Sequence, residues 1–175
     1  GAESRQPEVA PMGHSIRQIF ETVFEIAGSG SIEGGDILYT GREILVGTSE
    51  RTDHAGIAKL SAFVEPKGYS LRTVETPPGV LHFKTDCSLI ASNTILSTQR
   101  LAASGCFSDY RVLQVPEGEE AAANMIRFNN ALIMSKGFPK TAQMLISEGF
   151  NLVQLNNSEC AKIDGGMSCL SLRIA

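Results

Sequence analysis

No stretch of this chain is basic enough to track a phosphate backbone. Lys and Arg never cluster beyond a pair, charges of both signs are interspersed and the formal net charge is −4, which argues against nucleic acid as a partner. Long apolar runs are missing as well: none approaches the roughly 20 residues needed to span a bilayer. Residues 1–11 also have no charged-then-apolar signal pattern. A soluble, cytoplasmic protein without membrane partners is the expectation. Cys87, Cys106, Cys160 and Cys169 make no CxxC pair and no Cys/His ligand spacing, so neither a zinc site nor a disulfide framework is encoded. A reducing compartment follows, and no cofactor or metal is implied.

What is present is enough hydrophobic sequence for one sizeable core. At 175 residues, with 42% hydrophobic side chains, the chain reads as a single domain, 1–175. From Gly13 to Ala27, Ile16, Ile19, Phe20, Val23 and Phe24 recur at helical spacing, predicting one amphipathic helix. Asp36 to Thr40 and Glu43 to Thr48 read as a hairpin across Gly41-Arg42. A helix is predicted from about Thr52 to Pro66, with Ile57, Leu60, Phe63 and Val64 inward, then a strand from Tyr69 to Glu75.

The same signals then recur. Strands are predicted near Leu81 to Thr85, Ser88 to Ala91 and Thr94 to Ser97, a helix from Thr98 to Cys106 and a strand from Arg111 to Val115. A third round places strands at Asn124 to Phe128 and Ala131 to Ser135 around Asn129-Asn130, a helix from Pro139 to Gly149 and a strand from Asn151 to Leu155. The predicted helix starts at Thr52, Thr98 and Thr141 are 46 and 43 residues apart, a period that marks repeated supersecondary units. Hairpin–helix–strand units set around an axis give an α/β fold of partial propeller type. A last strand, Met167 to Ile174, has no helix after it and needs a partner from elsewhere.

Few residues in this pattern can do chemistry. Cys169 follows Gly165-Gly166-Met167-Ser168, where two glycines permit close backbone approach and a thiol would stand at the start of a strand. Such a thiol is either a nucleophile or a small buried hydrophobe, and most unpaired cysteines are the latter. Cys87, Cys106 and Cys160 lie in or beside apolar runs and fit that second description. His82, between Leu81 and Phe83 after Pro77-Pro78-Gly79, is structural unless a thiol and a carboxylate come within hydrogen-bond reach. His14 and His54 read as solvated. Glu33 precedes Gly34-Gly35 at the start of the first hairpin, as an ordinary acidic turn or as an orienting carboxylate. Arg51, just before a helix, is either a surface charge or a fork for a substrate carboxylate.

In order and context these pieces resemble the dimethylarginine dimethylaminohydrolases, within the wider group that includes arginine deiminase and the amidinotransferases. The matching stretches are Glu33-Gly34-Gly35-Asp36, Thr40-Gly41-Arg42-Glu43, Ser49-Glu50-Arg51-Thr52, Leu81-His82-Phe83-Lys84-Thr85, Ala122-Ala123-Asn124, Asn157-Ser158-Glu159 and the run from Lys162 to Arg173. The resemblance implies a five-unit α/β propeller (pentein) with its site in a central channel, of which this chain is the C-terminal part. In relatives the upstream part supplies the opening units, further acidic residues for the guanidinium and another arginine. Cys169 would be the nucleophile, His82 the general acid and base, and Glu33 its orienting carboxylate. Arg51 would bind the amino-acid carboxylate, and the carbonyls of Ile163 and Asp164 would help hold the substrate. The implied reaction converts methylated arginines, asymmetric dimethylarginine and monomethylarginine, to citrulline and methylamines through a thiouronium on sulfur. An arginine deiminase, an amidinotransferase or a silent binding module on the same scaffold are the alternatives. A homo-oligomer, or pairing with the upstream segment, would close the ring. Leu170, in place of a second adjacent cysteine, is similar to the bacterial branch.

Overall fold

A computed structural model describes residues 3–163, 165–169 and 171. Its centre is three successive units, each a three-stranded sheet in which an antiparallel hairpin is joined by a helical crossover to a third, parallel strand. The first unit contains β1 (Ile37–Tyr39), β2 (Glu43–Thr48), α2 (His54–Val64) and β3 (Ser70–Glu75). The second contains β4 (Cys87–Ala91), β5 (Thr94–Ser97), the short α3 (Gln99–Ala102) and β6 (Arg111–Gln114). The third contains β7 (Ile126–Phe128), β8 (Ala131–Ser135), α4 (Pro139–Ser147) and β9 (Asn151–Leu155). In every unit the hairpin's second strand is central, and a crossover helix returns the chain parallel to it. The repeated unit expected from the sequence is therefore present three times, as a partial α/β propeller.

Local chemistry explains the turns. Asn129 adopts φ 53° at the tip of the β7–β8 hairpin, a left-handed conformation that asparagine tolerates better than most side chains. Asp53 caps α2, its carboxylate accepting from the Gly56 amide at 2.7 Å, and Pro139 opens α4 where no amide partner is needed.

Two of the three hydrophobic cores lie between units rather than within them. Leu38, Leu45 and Val74 of the first unit pack with Phe83, Cys87, Ile95, Leu101 and Phe107 of the second. Ile90, Leu96 and Val115 of the second pack with Met125, Leu132, Met134 and Leu145 of the third. Burying each of these large side chains contributes about 1.5–3 kcal/mol. A smaller core of Ile44, Val46 and Ile57 holds α2 to its own sheet. Polar contacts pin the first interface: Arg72 forks onto Glu43 at 3.0 and 2.9 Å, and the Tyr110 hydroxyl lies 2.9 Å from both Glu43 and Thr40. The Arg72 bond, outweighing burial, holds the Glu43 carboxyl below its ordinary range.

One device recurs in all three units. A buried carboxylate near the beginning of each unit accepts the hydroxyl of a buried threonine at the start of that unit's crossover helix: Thr52 to Asp36 at 2.6 Å, Thr98 to Asp86 at 2.7 Å and Thr141 to Glu119 at 2.7 Å. All six residues are buried. These acids are further satisfied, Asp36 by the Phe83 amide at 2.8 Å and Ser49 at 2.8 Å, and Glu119 by the amides of Lys140 at 3.0 Å and Thr141 at 2.7 Å. The lock ties the beginning of a unit to the far end of its hairpin.

Four expectations need correction. The first helix, α1, spans Val9–Ile19 rather than Gly13 to Ala27, after a 3₁₀ stretch over Glu3–Glu8. It buries no side chain, and Phe20 is already extended at φ −118°, so no core holds the apolar stripe in helical form. Leu81 to Thr85 is not a strand, because Phe83–Thr85 forms a 3₁₀ turn whose Phe83 amide is taken by Asp36. The helix expected to reach Cys106 ends as α3 at Ala102. Met167 to Cys169, expected to open a strand, form a turn. The remainder of that expected strand is described only at Ser171, where there is no strand; Leu170 and residues 172–175 lie outside the described residues.

Burial raises the Glu119 carboxyl, but the bonds from Thr141 and Lys140 outweigh it and leave it below its ordinary value. A carboxyl lowered in the folded state stabilises above its unfolded pKa, and that contribution is lost as pH falls through the folded one. Thr141→Val should therefore cost about 1–3 kcal/mol at neutral pH. The gap from the parent in urea unfolding should narrow as pH drops through the carboxylate range.

Candidate active site

Two of the residues expected to do chemistry, Glu33 and His82, immediately precede the turns that begin the first and second units. Before the first turn, residues 31–33 run extended past the start of α2. The Asp53 amide donates to the Ser31 carbonyl at 3.0 Å, and the Glu33 amide to the Thr52 hydroxyl at 2.9 Å. Thr52 thus accepts from Glu33 while donating to Asp36, so the repeated lock also sets the position of Glu33. Gly34–Asp36 then turns tightly into β1.

His82 is extended, at φ −142°, and immediately precedes the Phe83–Thr85 turn. Its Nε2 hydrogen-bonds Glu33 Oε2, and both side chains are largely buried. Contact this close needs the glycine at 35, where an added Cβ would fall 2.8 Å from His82 Cγ. Arg51 Nη1 stands 3.6 Å from the same Glu33 oxygen, with about a third of its side chain exposed (36%). Burial pushes the Glu33 carboxyl up, but the bond and charge of His82, with the more distant charge of Arg51, overcome it and hold Glu33 below its usual value. An ionised carboxylate here fixes the imidazole's orientation.

Cys169 is exposed, not packed in the core. It ends the turn that follows Gly165-Gly166, and this turn is held by Asn124, which lies just after the 3₁₀ turn Glu120–Ala123 of the third unit. Asn124 Oδ1 accepts from the Ser168 amide at 2.9 Å, and Asn124 Nδ2 stands 3.4 Å from Cys169 Sγ. Gly166 makes the approach possible, since a Cβ there would lie 2.2 Å from Asn124 Nδ2. Asn157 Nδ2 fastens the other end of the loop to the Gly165 carbonyl at 2.8 Å.

Two clusters result: Glu33, His82 and Arg51 on the first two units, and Asn124, Ser168 and Cys169 on the third unit and the final loop. Leu81, Asn124, Gly165 and Gly166 line one cavity of about 440 Å³. The turns that carry the clusters also touch, 34–36 against 83–85 and 83–85 against 120–123. Ile163 is highly exposed in the turn after α5 (Ser158–Ala161), while Asp164 lies outside the described residues. Cys87 is sealed and held well above the ordinary thiol range by burial, and burial likewise raises Cys106, so neither suits nucleophilic work. His14 and His54 are exposed. Among the described residues no group of three His, Cys, Asp or Glu is placed to hold a metal ion, and no helix is long and apolar enough to cross a membrane.

Asn124, Asn157 and Thr52 are the supporting residues that the sequence pattern did not single out for a role. The available signals were the glycine pair before Cys169, which must make room for something, and an asparagine directly after two small, buried alanines.

Residues 12–74 match the family model for arginine deiminase. The N(G),N(G)-dimethylarginine dimethylaminohydrolase of Pseudomonas aeruginosa is 34% identical over 174 residues, covering 99% of this chain and 68% of that one. Its counterpart in Streptomyces coelicolor is 33% identical, covering 99% and 66%. A cysteine-to-serine variant of the Pseudomonas enzyme, solved in complex with citrulline, superposes with a TM-score of 0.93 at 33% identity over 99% of this chain and 68% of that one. The cyanobacterial arginine dihydrolase ArgZ, at 20% identity and TM-score 0.89, shares the fold. The chain belongs to the dimethylarginine dimethylaminohydrolase family and spans about two thirds of the length of the relatives it matches.

The Glu33 carboxyl should titrate below the ordinary range in carboxyl ¹³C NMR. In His82→Ala, burial is left opposed only by weaker charges, and the midpoint should move up.

Proposed function

We propose that this chain carries the nucleophile, acid–base residue and orienting carboxylate of an enzyme that hydrolyses N-ω-methylated arginines to citrulline and methylamines. The observations that carry the reading are the Glu33–His82 hydrogen bond and the exposed Cys169 on a loop that Asn124 holds. Family membership favours methylated arginines over deimination or amidino transfer, and the citrulline bound to the Pseudomonas relative fits hydrolysis at the guanidino carbon.

The chemistry follows from the substrate. A guanidinium carbon is weakly electrophilic because its charge is delocalised, so the attacking atom must be strongly nucleophilic and the leaving nitrogen must be protonated as it departs. Cys169 Sγ, as thiolate, adds to the guanidino carbon, giving a tetrahedral adduct. His82 donates a proton to the methylated nitrogen, the carbon–nitrogen bond breaks, methylamine or dimethylamine leaves, and a thiouronium remains on sulfur. Water then adds to the same carbon while His82 takes its proton, and the carbon–sulfur bond breaks to release citrulline and restore the thiolate. Glu33 keeps the imidazole aimed and stabilises its charge during both transfers.

Arg51, partly exposed beside Glu33, holds the amino-acid carboxylate as a fork, with the Ile163 and Asp164 carbonyls as acceptors on the final loop. The whole site is completed by the remainder of the ring, supplied from upstream or by a second chain. The chain is the C-terminal, three-unit portion of a five-unit propeller. Unpaired Cys87, Cys106, Cys160 and Cys169 suit a reducing, cytoplasmic setting.

In a complete version of the enzyme, Cys169→Ser should abolish citrulline release, and near-normal turnover would refute the nucleophile. His82→Ala should lower kcat by at least ~10²-fold. Arg51→Lys removes a two-pronged contact but keeps the charge, so KM should rise while kcat changes little; a pure kcat loss would place Arg51 in the chemistry instead.

A further inference from the structure

The amide of Asn124 can face only one way. A backbone N–H donates and never accepts, so the partner of the Ser168 amide at 2.9 Å must be the carbonyl end of the side chain. The NH₂ end is thereby aimed at Cys169 Sγ, 3.4 Å away. That end is donor-only, so the sulfur is cast as an acceptor, and an ionised sulfur is the stronger acceptor. The side chain has little freedom to escape the arrangement. Asn124 is buried, follows the buried Ala122 and Ala123, and the Ala123 carbonyl is fixed by the Ser88 hydroxyl at 2.7 Å. Across from it Gly166 leaves no room for a Cβ.

We propose that Asn124 is a positioning residue for the thiol chemistry: one end of its amide clamps the Cys169 loop through Ser168 while the other donates a hydrogen bond that stabilises the thiolate. This rests on Cys169 being the nucleophile. The donor is neutral and fixed, so it acts before substrate arrives and gives the sulfur a preferred direction. Charged groups around this arrangement are Arg100 and Lys136, which line the cavity that Asn124 lines, and Lys84 and Arg127, which line a second cavity with Ser168. The substitutions that test the proposal leave all of them in place.

Asn124→Asp separates the two roles. It keeps shape and the acceptor for the Ser168 amide but turns a carboxylate oxygen toward the sulfur. Alkylation of Cys169 by neutral iodoacetamide, followed site by site by peptide mass mapping in the whole protein, should slow at least ~10-fold near neutral pH, as expected for a like charge beside a developing anion. The difference should vanish at high pH, where the thiol is ionised in both proteins. An Asp variant whose profile coincided with the parent's would show that this end of the side chain does not face the sulfur, and would overturn the proposal. Asn124→Ser, too short to reach the sulfur, gives a second reading should the Asp variant fail to fold: it too should slow alkylation, and an unchanged profile would overturn the donor role. Failure of the nucleophile assignment would look different. Cys169→Ser would then retain turnover, whatever the alkylation rates of the Asn124 variants.

Discussion

A carboxylate buried against a threonine hydroxyl organises this protein. Removing a charge from water is tolerable only when its lone pairs are filled, and the pairs Thr52–Asp36, Thr98–Asp86 and Thr141–Glu119 meet that need with the same partner at the same place in each unit. Once the acid must find its threonine, the beginning of the unit and the end of its hairpin are brought to one point. Glu33 and His82 stand shortly before two of those acids, Asp36 and Asp86, and Asn124 shortly after the third, Glu119.

The hydrophobic cores reinforce the same geometry from the other side. Because Leu45 and Val74 pack against Phe83 and Ile95, and Leu96 against Leu132 and Met134, each sheet finds its cover on its neighbour. The bonds from Tyr110 to Glu43 and from Arg72 to the Cys106 carbonyl lie across the first such joint. The site therefore depends on how units meet, and Glu33 reaches His82 because Asp36 accepts the Phe83 amide across that joint.

The periodic part of this architecture was legible in the sequence. The hairpins stand out because aliphatic runs such as Ala131–Ser135 alternate inward and outward around turn residues, and the helix after Pro139 carries its own start signal. What local pattern could not supply was partnership over distance. Phe83 looks like part of a strand until Asp36, 47 residues away, is seen to hold its amide in a turn. The stripe from Ile16 to Phe24 has helical spacing, but it has no core to face, and the chain leaves the helix at Phe20. Glu33, His82 and Cys169 could be given roles by ordered resemblance, whereas Asn124, though inside a matching stretch, could not, since its task exists only where Gly166 and Ser168 come to lie beside it.

The threefold recurrence of the tight turn has a wider consequence. Each repeat offers one station at its inner end, occupied here by an acid, an imidazole and an amide, while the acid–threonine pair beneath is left alone. A residue at such a station can be exchanged without disturbing the fastening below it. A ring of this kind can thus acquire new reactions by changing single side chains at fixed points, which helps explain how hydrolases, deiminases and transferases came to share one frame.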